Sequence, residues 1–208
     1  MVSFILASRS PRRAEILKTL GIPFQTVPAA VDESPKEDEE PEAYARRMAL
    51  AKAHAVSAST SLGAPGDARY PEALVLGADT VVYMENGTRK NHRRIMGKPA
   101  SPQEAREMLA ALAGKTHRVT TALTFVRRRP PYEACETEST QITFRSLERE
   151  TIERYVATGE PFDKAGSYGI QGLGGILLVD SLRGSYTNVV GLPVGLFKRM
   201  LREAGGNP

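Results

Sequence analysis

Residues 5–17 read ILASRSPRRAEIL, and the change of character within them decides the fold. Ile5, Leu6 and Ala7 are the apolar end of a buried strand. Ser10 and Pro11 then open a helix, with Ser at the N-cap and Pro at the first helical position. A strand that feeds at once into a helix is the building unit of α/β proteins. The next places in the first turn favour Asp or Glu, because the helix dipole makes this end positive, yet they hold Arg12 and Arg13. Each exposed misplacement costs roughly 0.3–1 kcal/mol. The later SPQE (101–104) repeats the Ser-Pro start with Glu104 at the third helical position, which forms a capping box. Two readings of Arg12 and Arg13 follow. They are solvated charges with a small penalty, or they await an anion at a helix end whose free N–H groups suit phosphate. Ser8, in the loop, is a further candidate donor.

Outward from this unit the alternation continues. FQTVPA (24–29) reads as a short strand leading into the acidic run VDESPKEDEEPE (31–42). PEAYARRMALAKAHAVSAS (41–59) reads as a long helix with Tyr44, Met48, Ala51 and Ala55 on one face, and Lys52 on the flank of that stripe. ALVLGADTVVYM (73–84) is the most strand-like stretch, interrupted by Gly77 and Asp79. THRVTTALTFV (116–126) and YEACETESTQITF (132–144) alternate as paired strands. SLERETIERYVATG (146–159) is a helix, GGILLVDSL (174–182) a strand, and NVVGLPVGLFKRMLREAG (188–205) a terminal helix with Gly and Pro in its approach. The expected fold is α/β with a mixed sheet, a single domain over 1–208 built as two lobes with a ligand groove between them.

The chain has 208 residues, 41% hydrophobic and 25% charged, which is ordinary for a soluble globular protein. No apolar run reaches the ~18 residues of a membrane span, and the first residues read as a strand rather than a signal peptide. Cys135 is the only cysteine, so an intramolecular disulfide and a cysteine-rich zinc site are excluded. A cytoplasmic location is expected. The net charge of +4 points to anionic partners. RKNHRR (89–94) and RRR (127–129) are short basic blocks of the kind found in solvated loops. There is no basic helical stripe or base-stacking motif to point to nucleic acid, and small phosphorylated ligands fit the charge as well.

The chemistry-bearing residues are few. Asp79 places a carboxylate inside an apolar run, which is expensive unless it is paired, hydrogen-bonded or on a metal. Either it caps a local bulge at Gly77, or it faces a groove, holding a hard cation or deprotonating water. Glu33 or Asp32 would supply a second oxygen. Lys52 either snorkels past the core edge or reaches a ligand, and Lys98, in MGKP, is a turn residue. GEPFDKAGSYGIQGLGG (159–175) is a glycine-rich loop carrying Lys164 and the amide of Gln171, which can read a base edge. It matches neither a P-loop nor a dinucleotide fingerprint. His54, His92 and His117 are too scattered for a metal triad, and no Ser-His-Asp arrangement appears. Cations, backbone donors and one or two carboxylates suit metal-assisted cleavage of a phosphoanhydride.

SRSPRRAEIL, VDE, GADTVV, GKP, DKAGSYGIQGLGG and NVVGLP, in this order and spread over nearly the whole chain, resemble the Maf-like nucleoside triphosphate pyrophosphatases. The resemblance implies a two-lobed α/β fold with an elongated mixed sheet and central groove, similar to the inosine triphosphate pyrophosphatases, and a homodimer. It implies hydrolysis of a nucleoside triphosphate to the monophosphate and pyrophosphate with Mg²⁺ or Mn²⁺. The family's proton acceptor falls on Asp79. Its Ser-x-Ser-Pro-Arg-Arg residues fall on Ser8, Arg12 and Arg13, its lysines on Lys52, Lys98 and Lys164, and a metal-binding carboxylate on Glu33. Arg12, Thr80 and Gln171 match the branch similar to dTTP/UTP pyrophosphatases. GAPGDARYP (63–71) and NGTRKNHRRIM (86–96) depart from the family's compact pattern as loop expansions. A 7-methyl-GTP or other modified-nucleotide pyrophosphatase, and a regulatory nucleotide-binding protein linked to cell division, are the competing readings.

Overall fold

Phe4–Leu6 form β1, all three residues buried, and the chain turns through Ser10 into helix α1, Pro11–Thr19. Residues 4–58, 72–84 and 95–206 are described by this computed structural model. The expansion expected at 63–71, and residues 86–94 with their basic run, lie outside the described residues. The remaining elements include strands β2 (Gln25–Thr26), β3 (Leu74–Tyr83), β4 (Ile95–Met96), β5 (Thr116–Arg127), β6 (Tyr132–Phe144) and β7 (Val179–Arg183). Helices are α2 (Pro41–Ser57), α3 (Pro102–Leu112), α4 (Arg149–Ala157), α5 (Leu173–Leu177), α6 (Tyr186–Val190) and α7 (Val194–Glu203).

The sheet order is β2-β1-β3-β5-β6-β7, with β4 on β3. β1 is parallel to both β2 and β3, whereas β4 on β3 and β7 on β6 are antiparallel. The mixed α/β sheet expected from the sequence is therefore present. No helix among the described residues is long and apolar enough to cross a membrane.

The chain divides into two compact units. One gathers residues up to Asp79, Thr121–Glu138 and the chain from Gly191 onward; the other gathers Thr80–Thr120 and Ser139–Val190. In the first unit, the rings of Phe4, Phe125 and Phe197 meet at 5.8–6.0 Å, Phe4 edge-on to Phe197. Leu17, Leu74, Leu76 and Met200 close around them. Each such side chain contributes about 1.5–3 kcal/mol when fully buried. In the second unit, Leu109, Leu112, Ile142, Phe144 and Tyr155 form a separate core.

One glycine sets the packing of the first unit. A Cβ on Gly77 would lie 2.1 Å from the Ala49 carbonyl oxygen and 2.8 Å from the Ala53 nitrogen, so only a bare backbone lets α2 rest on β3. Ala45, Ala49 and Ala53 form the small-residue face that approaches it, each fully buried. The helix face differs from the expected one, since Ala55 is exposed and Lys52 is buried. Strand β3 also runs without interruption through Gly77 and Asp79.

Three local expectations need correction. Residues 174–177, read as the start of a strand, are helical in α5, and the strand is only Val179–Arg183. The terminal helix is two helices, because Pro193 cannot continue a helical hydrogen-bond ladder and stands at the N-cap of α7. At α3 the Ser101 hydroxyl accepts the Glu104 N–H at 3.2 Å, but the Glu104 carboxylate takes the N–H of Ala100, at 2.7 Å, instead of that of Ser101.

The second core holds His117, whose Nε2 lies 2.8 Å from the Tyr168 hydroxyl and whose Nδ1 has no partner among the described residues. Burial pushes its pKa down to about 4. The unfolded chain therefore takes up this proton first, and stability declines as pH falls from about 6.5 toward 4. At about 1.4 kcal/mol per pKa unit the loss is about 3 kcal/mol. Urea unfolding across this range should show a shallower acid decline for His117→Phe than for the native chain. Equal slopes would show that the imidazole does not carry the effect.

Candidate functional site

The Ser-Pro-Arg-Arg turn folds inward. Ser10 caps α1, accepting the Arg13 N–H at 3.4 Å, and the first turn holds no acid. Arg13 does not extend into solvent as a free hook. Its Nε donates to the Gly191 carbonyl at 2.8 Å and its Nη1 to Ser8 Oγ at 3.1 Å. The backbone N–H of Ser10 also donates to Ser8 Oγ, at 3.1 Å. Ser8 is buried and accepts twice, so its own proton has no acceptor among the described residues. Burial lowers the Arg13 pKa and the nearby Asp79 charge opposes that fall. Arg12 is half-buried on the same turn.

Eight residues separate Tyr44 from Lys52 on α2, so both lie on the helix face turned toward β3. Lys52 does not snorkel outward. Its Nζ donates to Asp79 Oδ1 at 2.7 Å and lies 2.7 Å from Glu33 Oε1. The Lys52 and Asp79 side chains are 11% and 12% exposed, whereas Glu33 is 56% exposed, so the Asp79 pair is the one sheltered from water. Asp79 Oδ2 makes no hydrogen bond among the described residues. Burial holds the Asp79 carboxyl above its ordinary pKa. Lys52 and then Arg13 pull it back, and Glu33 pushes it up.

Tyr44, read from the sequence as a core residue only, also holds the acidic loop. Its hydroxyl donates to the Glu33 carbonyl at 2.7 Å. Arg47 supports the same loop through two 2.6 Å bonds to Glu39 and one of 3.1 Å to the Ser34 carbonyl. Asp32, the alternative to Glu33, instead accepts the Ser34 N–H at 2.9 Å within an exposed turn. The signal for Tyr44 was its spacing from Lys52; that for the Gly191 carbonyl is absent from local sequence.

The other expected residues lie in the second unit. Thr80 follows Asp79 on β3 and is half-buried; Lys98 and Gln171 are exposed. Lys164 is largely covered, its Nζ donating to the Glu160 carbonyl at 2.7 Å and to Asp163 Oδ1 at 2.5 Å. The basic block at 127–129 is not one surface feature. Arg127 donates to the carbonyls of Pro130 and Ala204, at 3.1 and 2.9 Å, which ties it to the end of α7.

No group of three or more His, Cys, Asp or Glu placed to hold a metal occurs among the described residues. The donor set nonetheless suits a hard divalent cation. Two carboxylates converge on one cationic position and Asp79 keeps an unpaired oxygen, while magnesium commonly takes one or two protein carboxylates with phosphate and water completing its shell.

The Maf-like protein family matches residues 3–204. The chain belongs to that family. It is 46% identical over 205 residues to a dTTP/UTP pyrophosphatase of Moorella thermoacetica, covering 99% of this chain and 96% of the relative. A dTTP/UTP pyrophosphatase of Bacillus cereus is 41% identical, with 98% and 96% covered. One of Syntrophus aciditrophicus is 38% identical, with 97% and 89% covered. Among solved structures, the Staphylococcus aureus Ham1 protein aligns over 97% of this chain and 98% of its own at a TM-score of 0.50 and 11% identity, a likeness of fold.

Removing one partner of a buried ion pair leaves the other charge stranded. Lys52→Met should therefore destabilise the protein by about 3 kcal/mol at neutral pH. Without Lys52 the folded pKa of Asp79 rises further above its unfolded value near 3.9. The folded state then holds that proton more tightly, so the deficit shrinks as pH falls from neutral toward about 4. Urea midpoints of the variant and native chain across that range check this; a deficit independent of pH would contradict it.

Proposed function

We propose that this protein hydrolyses nucleoside triphosphates, dTTP and UTP foremost, to the nucleoside monophosphate and pyrophosphate. The observation that carries the reading is the buried Lys52–Asp79 pair with Glu33 on the same ammonium. Membership of a family with relatives named dTTP/UTP pyrophosphatase supports the substrate assignment.

Asp79 and Glu33 are the residues that would hold Mg²⁺ or Mn²⁺, which when bound offsets phosphate charge and acidifies a water. Asp79 takes the proton of the attacking water, a role that its raised pKa favours near neutrality. The water oxygen bonds to the α-phosphorus, the bond from that phosphorus to the bridging oxygen breaks, and pyrophosphate leaves. Lys52 fixes the Asp79 carboxylate and adds positive charge beside the reacting group. Arg13 is already fixed by Gly191 and Ser8, so little side-chain freedom is lost when it meets a phosphate oxygen. The Ser8 hydroxyl, with Arg12, completes the anion-binding turn at the positive end of α1. We assign Lys98 and Lys164 to the phosphate chain, and Thr80 and Gln171, with Arg12, to choice of the base.

Asp79→Asn, which keeps the size of the side chain, should cut pyrophosphate release from dTTP and UTP by about 100-fold or more while circular dichroism stays native. Activity within a few-fold of the native protein would remove Asp79 from the role of base.

A further inference from the structure

The carboxylate of Glu160 is the point on which the glycine-rich segment hangs. Its Oε1 accepts the Tyr155 hydroxyl at 2.9 Å and the Gly174 N–H at 3.2 Å, and its Oε2 accepts the Leu173 N–H at 2.9 Å. The same Tyr155 oxygen accepts the Gly169 N–H at 3.2 Å. The Glu160 backbone carbonyl takes the Lys164 ammonium. One residue and its tyrosine thus secure both ends of 169–174, the stretch that carries Gln171.

The glycines match this arrangement. A Cβ on Gly172 would stand 2.5 Å from Glu160 Oε2, and one on Gly174 would stand 2.6 Å from the Tyr155 hydroxyl. A Cβ on Gly169 would stand 2.6 Å from Lys164 Cε. Burial first, opposed by the Gly169 N–H and helped by Glu160, holds the Tyr155 phenol well above its ordinary pKa, so it remains a neutral donor. Three donors therefore converge on a carboxylate, a group that only accepts when ionised.

We infer that Glu160, acting with Tyr155, is the positioning residue that sets base discrimination by fixing the backbone on which Gln171 and Lys164 are presented. This rests on the assignment of Gln171 and Lys164 to the substrate. In Glu160→Gln the amide nitrogen brings two donors against the three already there, so at least one bond is lost without change of size. Tyr155→Phe removes the hydroxyl that joins Gly169 to Glu160 and keeps the ring in the core.

The test is steady-state hydrolysis of UTP, dTTP and CTP by the native protein, Glu160→Gln, Tyr155→Phe and Gln171→Ala, with amide hydrogen exchange at 169–174. A charged hydrogen bond carries about a tenfold effect. The expected result is that Glu160→Gln and Tyr155→Phe raise KM for UTP about tenfold. They should also narrow the UTP-to-CTP ratio of kcat/KM as Gln171→Ala does, and change kcat much less. Faster exchange of the Leu173 and Gly174 amides should accompany this. If Gln171→Ala narrows the ratio while both other variants keep the native KM and ratio despite faster exchange, the positioning role is overturned and the base-reading assignment stands. If Gln171→Ala itself leaves the ratio native, the assignment fails and the inference with it.

Discussion

A lysine ammonium held between two carboxylates is the interaction on which the candidate site depends. Lys52 and Asp79 are close to fully sheltered, and neither charge is tolerable there alone. The pair exists because α2 lies directly on β3, and α2 lies there because Gly77 has no side chain to keep Ala49 and Ala53 away. Two residues after Gly77 on the strand stands Asp79; between Ala49 and Ala53 on the helix stands Lys52. A packing constraint and a chemical group are thus written into the same four letters, GADT. Glu33, more exposed, is brought to the ammonium by a different device, the Tyr44 hydroxyl and the Arg47 fork that tie the acidic loop to the same helix.

The turn into α1 follows a similar logic. Two arginines stand where the helix dipole asks for acids. Arg13 escapes most of that conflict by curling back to a carbonyl and a serine hydroxyl, which fixes a cation at that helix end. The positive end of α1 is left without an acid of its own. In the proposed function a phosphate chain supplies the missing charge.

Much of this was legible in the sequence where the signal was local. The Ser10 cap, the Ser101 cap, strand β3 and the β5–β6 pairing all follow from residues within a few positions of one another. The inward face of α2 was not legible, because alanines at 43, 45, 49, 51, 53 and 55 lie all round the helix and leave its hydrophobic period ambiguous. Which alanines are buried is decided by Gly77 on a distant strand. The helix at 173–177 was misread for the same kind of reason. The run Ile-Leu-Leu-Val at 176–179 favours a strand, but a carboxylate at 160 accepts the first N–H groups of the turn and selects the helix at 173–177. Lys164 and Gln171 were singled out by composition and resemblance; the Glu160–Tyr155 support beneath them has no signature beyond glycine spacing.

In the proposed function Asp79 and Glu33, now sharing Lys52, are also the ligands for the divalent cation that accompanies a triphosphate. Anomalous diffraction from crystals grown with Mn²⁺ and a UTP analogue carrying a non-hydrolysable α,β bridge tests it most directly. The expected result is a manganese peak in contact with both carboxylates and with the phosphate chain. A manganese ion bound to the analogue but touching neither Asp79 nor Glu33 would contradict it.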